Sequence, residues 1–160
     1  MIRLGGHGLP VGSNDPFAFA QAHVTFGYGA AYVPSSLTMA DGKLLADWEK
    51  AFAAADVVLA EIGIWRNLST PDGTTRKANL AFAAEKLAVA DAVGGRCAVS
   101  YIGSRKTGAG YFESVADNFT SEAFEAAVET CRALIDEVRP TRAKLSLEMM
   151  QYSLPDSVDS

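Results

Sequence analysis

Cysteine and histidine are scarce in this chain of 160 residues, which contains two of each. Cys97 and Cys131 lie far apart and form no C-x-x-C pair, so we expect neither a disulfide framework nor a thiolate metal site. The sequence also lacks an apolar run of about 18 residues and the apolar segment of a signal peptide. These absences predict a protein without a membrane span, located in the reducing cytoplasm.

Positive charge is in deficit as well. Lys and Arg number 14 against 19 Asp and Glu, which gives a formal net charge of −5. Binding to the phosphate backbone of a nucleic acid requires clustered basic side chains, so a nucleic-acid partner is not expected. With 49% hydrophobic and 21% charged residues, the composition is that of one soluble globular domain.

Strand-like and helix-like segments alternate along the chain. The expected strands are Ile2–His7, Gly29–Val33, Val57–Ile62, Cys97–Ile102 and 143–148. The expected helices begin near Pro16, behind a capping-box pattern at Thr38-x-x-Asp41, near Thr75, and after Thr120. Strands separated by helices predict right-handed crossovers and a parallel sheet. The strand from Val57 to Ile62 is apolar except for Glu61, which predicts a strand buried on both faces.

The helix after Thr120 has the clearest periodicity. Its apolar side chains recur at helical spacing and predict a stripe that packs in the core. The members of this stripe are Phe124, Ala127, Val128, Cys131, Ile135 and Val138.

The last expected strand has two unlike faces. Ala143, Leu145 and Leu147 are apolar, and they alternate with the polar Lys144, Ser146 and Glu148. Glu148 therefore ends a strand just before a loop, which is the position where α/β barrels carry their chemistry.

Two architectures fit five strands and four helices. One is an open, doubly wound, flavodoxin-like sheet, and the other is the first five strands of a TIM barrel, (β/α)8. An open sheet normally finishes with a fifth helix, and the polar alternating set suits a barrel lumen. We therefore predict that residues 1–160 form a single α/β domain, the N-terminal part of an incomplete TIM barrel whose strands six to eight are absent.

Several segments carry a family resemblance. The segment 148–157, Glu-Met-Met-Gln-Tyr-Ser-Leu-Pro-Asp-Ser, resembles the strand-five signature of the sugar phosphate isomerase/epimerase family, the xylose-isomerase-like TIM barrels. The segments 60–67 and 97–103 are similar to strands three and four of those barrels. The resemblance extends over nearly the whole chain, as an N-terminal half only.

The resemblance implies an activity and a metal. In that family two Glu, one Asp and one His hold a divalent ion, Mn²⁺, Mg²⁺ or Co²⁺, while an acid–base pair moves a proton next to a carbonyl. Glu148 matches the first metal ligand and is the expected catalytic residue. The other ligands come from strands six to eight, so this chain is expected to be inactive as a fragment.

Four further side chains are candidates for binding a sugar or polyol substrate. His7 ends the first expected strand, and Glu61 interrupts an apolar strand, where an unpaired carboxylate would be costly to bury. Trp65 and Asn67 lie in the loop after that strand, where an aromatic face can pack on sugar C–H groups and an amide can bind hydroxyls.

Other interpretations remain open at this stage. A barrel like that of apurinic-site endonucleases would bind a zinc cluster, and an open-sheet module would bind a nucleotide or flavin at the strand exits. A half-barrel could also pair with another chain or self-associate through its open edges.

Overall fold

A parallel sheet forms the frame of the protein. The computed structural model describes residues 2–7, 9, 11–108 and 112–158. In this part of the chain the sheet has five strands, β1 (Gly5–Gly6), β2 (Ala30–Val33), β3 (Val58–Gly63), β4 (Cys97–Ser100) and β5 (Lys144–Leu147). The helices are α1 (Pro16–Thr25), α2 (Gly42–Ala54), α3 (Gly73–Ala92) and α4 (Ser121–Val138), with a 3-10 helix at Ala116–Phe119.

The order of the strands decides between the two architectures. All neighbours pair in parallel, and the order across the sheet is β1-β2-β3-β4-β5. Successive helices also pack against one another, α1 on α2, α2 on α3 and α3 on α4. A doubly wound sheet reverses its strand order and carries helices on both faces. Here the order never reverses, so the helices form one layer, as in the first five units of a TIM barrel.

The apolar core lies between this helix layer and one face of the sheet. Leu59, Ile62 and Ala98 from the strands are buried there with Trp48 and Leu87 from the helices. The other face of the sheet, called the open face below, has no helix of the described residues against it. No helix in the described ranges is long and apolar enough to cross a membrane.

An irregularity in β3 sets which side chains reach the open face. Ala31 is opposite Leu59, but its neighbour Tyr32 is opposite Glu61, so Ala60 is an extra residue in β3. Because of this bulge, Leu59 and Ile62 both point into the core although they are three positions apart. Glu61, which precedes Ile62, therefore points to the open face. The prediction that this strand is buried on both faces is wrong, because its open face is partly exposed.

Two other local predictions differ from the structure. The first strand is reduced to Gly5–Gly6, and Ile2 is 99% exposed, because β1 lies at an edge of the sheet with a partner on one side only. The predicted capping box does not start α2, which begins at Gly42. Instead, the Asp41 carboxylate accepts hydrogen bonds from the backbone N–H and the hydroxyl of Thr38, and so closes a turn before the helix.

The predicted stripe on α4 is only partly in the core. Thr120 caps the helix as expected, its hydroxyl accepting from the N–H of Ala123. The buried face, however, consists of Ala123, Ala127, Thr130 and Leu134. Phe124 and Ile135 are 41% and 43% exposed because α4 ends the helix layer and packs on α3 with one flank only. The opposite flank lines an apolar groove of about 260 Å³, formed by Phe124, Ala127, Val128, Cys131, Leu147, Leu154 and Pro155.

A carboxylate ties β5 to the helix layer at the amino ends of the strands. The Asp91 carboxylate accepts hydrogen bonds from the N–H groups of Thr141, Arg142 and Ala143, at 2.9, 2.6 and 2.8 Å. Arg142 donates in return to the carbonyl oxygens of Asp91 and Ala92, which end α3. Burial alone would raise the pKa of Asp91, but these bonds together hold it below its usual value.

We expect Asp91→Ala to lower the free energy of unfolding by about 1–3 kcal/mol, because three backbone donors lose a charged acceptor. Asp136→Ala, at an exposed position on α4, is the matched control and should change it by less than about 0.5 kcal/mol. Urea denaturation followed by circular dichroism measures both.

The loss of stability in Asp91→Ala should depend on pH. The pKa of Asp91 is lower in the folded state, so its contribution is fully present above the unfolded pKa, about 3.9. It is lost as the pH falls through the folded pKa. The stability gap between the wild-type chain and Asp91→Ala should therefore shrink on acidification, and a gap that stays constant down to about pH 2 would contradict this role.

Candidate functional site

Polar side chains from neighbouring strands meet on the open face. Tyr32, Glu61, Cys97 and Lys144 occupy laterally paired positions on β2, β3, β4 and β5. The Cys97 thiol lies within hydrogen-bonding reach of Ser146, two residues after Lys144 on β5. The alternation of β5 predicted from the sequence is confirmed, because Leu145 packs against the core while Ser146 faces the open side.

The Tyr32 phenol is affected by both carboxylates of interest, Glu61 and Glu148. Its partial burial raises the pKa of its phenol, and the hydrogen bond to Glu61 raises it further. The charges of Glu61 and Glu148 add to this effect, so both carboxylates act on the same phenol. Tyr32 and Glu61 are therefore close enough for the phenol and the carboxylate to interact.

Glu148 follows directly from the end of β5. Its backbone N–H donates to the carbonyl of Ser100 at 2.8 Å, which continues the parallel ladder one residue beyond Leu147. The side chain is solvent-exposed, and it continues the polar series of Lys144 and Ser146 along β5. Glu61 thus lies on the strand next to Tyr32, while Glu148 follows β5, three strands away from Tyr32 in the sheet order.

A cavity of about 380 Å³ opens beside Tyr32, near the carboxyl ends of β1, β2 and β3. Its lining residues include His7, Tyr32, Ser35, Gly63 and Trp65. The His7 ring lies 4.8 Å from the ring of Tyr32, centroid to centroid. Such a cavity offers an imidazole, a phenol, a hydroxyl and an indole to a polar ligand.

Trp65 is held over the sheet by an unusual backbone. Its φ of 48° lies in the left-handed region, which side chains other than glycine rarely adopt. This conformation folds the indole back on Gly63, where an added Cβ would lie 2.0 Å from Trp65 Nε1. Glycine at position 63 is thus required for the indole to lie over the open face.

Asn67 is located among the loops rather than on the open face. Its Nδ2 donates to the carbonyl of Ser104 at 2.8 Å, and its Oδ1 accepts from the N–H of Ser69 at 3.0 Å. The side chain therefore joins the loop after β3 to the loop after β4. The substrate contact expected for Asn67 stays a prediction.

A second buried amide, Asn118, was missed by sequence reasoning. It is 2% exposed, and its Oδ1 accepts from the N–H of Arg105 at 2.8 Å. Its Nδ2 donates to the carbonyls of Glu113 and Tyr152 at 2.9 and 2.7 Å. Asn118 thereby ties the loop after β4 to the loop after β5. An asparagine just before a helix cap gives no signal of these distant partners.

The described side chains offer no cluster of metal ligands. Within residues 2–7, 9, 11–108 and 112–158, no group of three or more His, Cys, Asp or Glu side chains could hold an ion. Glu148 and Glu61 are carboxylates on one face, but a stable site for a hard divalent ion requires more oxygen ligands than these two supply. The described residues therefore do not form a metal site by themselves.

The site thus gathers four of the five predicted residues around Tyr32. His7 contacts the Tyr32 ring, Glu61 accepts from its hydroxyl, and Trp65 lines the same cavity. The charge of Glu148, just after the end of β5, raises the pKa of the same phenol. This arrangement places an imidazole, a phenol and an indole at one cavity and two carboxylates on the neighbouring open face. Such groups can bind a hydroxyl-rich molecule and transfer protons.

Comparisons with known proteins identify the fold. No family model matches the sequence, and no curated protein matches it. Solved structures do match. An L-ribulose 3-epimerase aligns over 96% of this chain and 51% of its own, with 15% identity and a TM-score of 0.63.

Two more solved structures agree with it. A 3-keto-D-glucoside 4-epimerase from E. coli aligns over 91% of this chain and 55% of its own, with 10% identity and a TM-score of 0.63. A xylose isomerase-like TIM barrel protein from Mycobacterium smegmatis, in complex with magnesium, aligns over 93% and 52%, with 18% identity and a TM-score of 0.57. The chain spans about half the length of the solved structures that it matches. Its fold is that of the N-terminal half of the xylose isomerase-like TIM barrels that include sugar epimerases and isomerases.

Proposed function

We propose that this chain provides the N-terminal half of a cytoplasmic, metal-dependent sugar or sugar phosphate isomerase/epimerase, which acts by proton transfer next to a carbonyl. The observation that carries the proposal is that two carboxylates, Glu61 and Glu148, share the open face with Tyr32 and both raise the pKa of its phenol. Structural neighbours named as sugar epimerases support the same class of reaction.

The proposed roles follow from chemistry and position. Glu148 exchanges a proton with the substrate carbon, since its carboxylate lies at a strand exit and is exposed. Glu61 accepts a hydrogen bond from a sugar hydroxyl, and His7 binds a second hydroxyl. Trp65 packs on the C–H face of the sugar, while Asn67 supports the loop that carries Trp65.

Glu148 would also be one oxygen ligand of a Mn²⁺, Mg²⁺ or Co²⁺ ion in a complete barrel. Such an ion polarises the carbonyl and hydroxyl oxygens of a bound sugar. The neighbour crystallised with magnesium supports the choice of a hard divalent ion. Since the described residues do not complete a coordination shell, we propose that the isolated chain binds the ion weakly and is inactive.

Mn²⁺ tests the ligand role of Glu148 without requiring turnover. We expect Mn²⁺ added to the ¹⁵N-labelled chain to broaden the amide resonances at the exits of β4 and β5, because a paramagnetic ion relaxes nearby nuclei. Glu148→Gln should remove most of this broadening, since the amide is a much weaker ligand for a hard cation.

The matched control is Glu122→Gln, which removes an exposed carboxylate from the first turn of α4. Its broadening pattern at the strand exits should equal that of the wild-type chain. If Glu148→Gln leaves the pattern unchanged, or if broadening follows all acidic side chains equally, the proposed ligand role is wrong.

We also propose that the isolated chain self-associates through the edges of its half-barrel. The apolar groove beside α4 adjoins β5, which lies at one edge of the sheet. At the other edge, Leu4 and Phe17 beside β1 and α1 are exposed. Strand edges with apolar flanks favour pairing with another chain. We therefore propose that a second copy of the chain places its β1 edge against β5.

Sedimentation velocity of the chain over a range of concentrations tests this contact. We expect a reversible dimer that Phe124→Glu weakens at least about tenfold, because a charge then replaces an apolar side chain that lines the groove. Arg132→Gln, on the exposed side of α4, should leave the equilibrium unchanged. A wild-type chain that remains monomeric at all concentrations would contradict the proposal.

A further inference from the structure

A row of aromatic rings extends from the cavity toward the exit of β5. The ring of Trp65 lies 5.4 Å from that of Tyr101, Tyr101 lies 5.8 Å from Phe112, and Phe112 lies 5.8 Å from Tyr152. These four residues, called the aromatic row below, belong to the loops and strand ends after β3, β4 and β5. Trp65 also lines the cavity next to Tyr32, so the row begins where the proposed sugar site ends.

Buried amides hold these loops in place. The Asn118 amide donates to the carbonyls of Glu113 and Tyr152. Glu113 directly follows Phe112 in the sequence, and Tyr152 belongs to the aromatic row. Asn67 binds Ser104 and so fixes the loop after β4 against the loop that carries Trp65. Rings held in advance by such bonds lose little conformational entropy when a ligand packs against them.

One ring of the row is open to solvent at its far end. Phe112 is 52% exposed, whereas Tyr101 is buried beneath it. Phe112 thus presents part of its ring to solvent while it packs edge-on against Tyr152. Its face is suited to pack against a flat or ring-shaped group, since aromatic faces attract the positively polarised C–H edges of such groups.

The geometry points to a second binding subsite: we propose that the aromatic row binds a ring attached to the reacting sugar, so that the preferred ligand is a glycoside rather than a free monosaccharide. The row of four rings is longer than one sugar ring. A monosaccharide seated beside Glu61 and Glu148 would contact only its Trp65 end. The group linked to it would lie along Phe112 and Tyr152, and the buried Tyr101 supports Phe112 from beneath. This inference rests on the proposed function of the same site.

The experiment compares phenyl β-D-glucopyranoside, phenyl β-D-galactopyranoside and phenyl β-D-xylopyranoside with their free parent sugars and with phenol. Isothermal titration calorimetry on the 160-residue chain measures the dissociation constants. We expect at least one phenyl glycoside to bind about tenfold more tightly than its parent sugar and more tightly than phenol, as stacking on a constrained aromatic face provides.

Two variants locate the gain. Phe112→Leu retains an apolar side chain without an aromatic face and should remove most of the advantage of the glycoside, while binding of the parent sugar is unchanged. Phe26→Leu, which makes the same exchange at an exposed phenylalanine (62%) after α1, should leave both constants unchanged. Circular dichroism confirms that each variant is folded.

The outcomes separate this inference from the proposed function. If no phenyl glycoside binds more tightly than its parent sugar, or if Phe112→Leu retains the full advantage, the subsite is wrong, and the role of Glu148 is untouched. If phenol binds as tightly as the glycosides, the row is a general aromatic surface and the inference is likewise overturned. If instead the glycoside advantage depends on Phe112 but Glu148→Gln fails its Mn²⁺ test, the subsite stands and the metal-dependent reaction does not.

Discussion

The extra residue in β3 is the constraint on which the site depends. A strand alternates its side chains with a period of two, so without the bulge at Ala60 the side chains of Leu59 and Glu61 would share a face. Glu61 would then lie in the core among Trp48 and Leu87, where an unpaired carboxylate is strongly disfavoured. With the bulge, Leu59 and Ile62 both remain buried, and Glu61 meets Tyr32 on the open face.

The loops at the strand exits depend on a second kind of constraint. They are irregular, yet their backbone groups need partners, and two buried amides supply many of them. Asn67 and Asn118 both bind the segment that follows β4, one from each side. This arrangement connects three strand exits through Ser104, Arg105 and Tyr152. The aromatic side chains proposed to bind ligand are therefore held by polar groups that face away from it.

Features that depend on short-range chemistry were predictable from the sequence. The Thr120 cap, the alternation of β5 and the five-strand, four-helix order are all confirmed, because each follows from neighbouring residues. His7 and Trp65 line one cavity at the exits of β1 and β3, where strand exits gather at one edge. Their proposed roles in binding and catalysis stay predictions.

Other features could not be predicted, since they arise from contacts distant in sequence. Nothing in the segment from Val57 to Ile62 signals a bulge, which is defined by the pairing of β3 with β2. The half-exposed stripe of α4 has the periodicity of a core helix, and only its place at the end of the helix layer leaves Phe124 and Ile135 uncovered. Asn118 likewise bonds to Tyr152, 34 positions away.

The central claim is that Glu61 and Glu148 share the open face with Tyr32, and the titration of Tyr32 measures it most directly. With ¹³C-labelled tyrosine, NMR should give Tyr32 a pKa above the ordinary value of about 10, because burial, the bond to Glu61 and the two negative charges all disfavour the phenolate. Glu61→Gln and Glu148→Gln should each lower that pKa, and Glu125→Gln on α4 should not. A Tyr32 that titrates at the ordinary value, or one that is insensitive to both substitutions, would contradict this account.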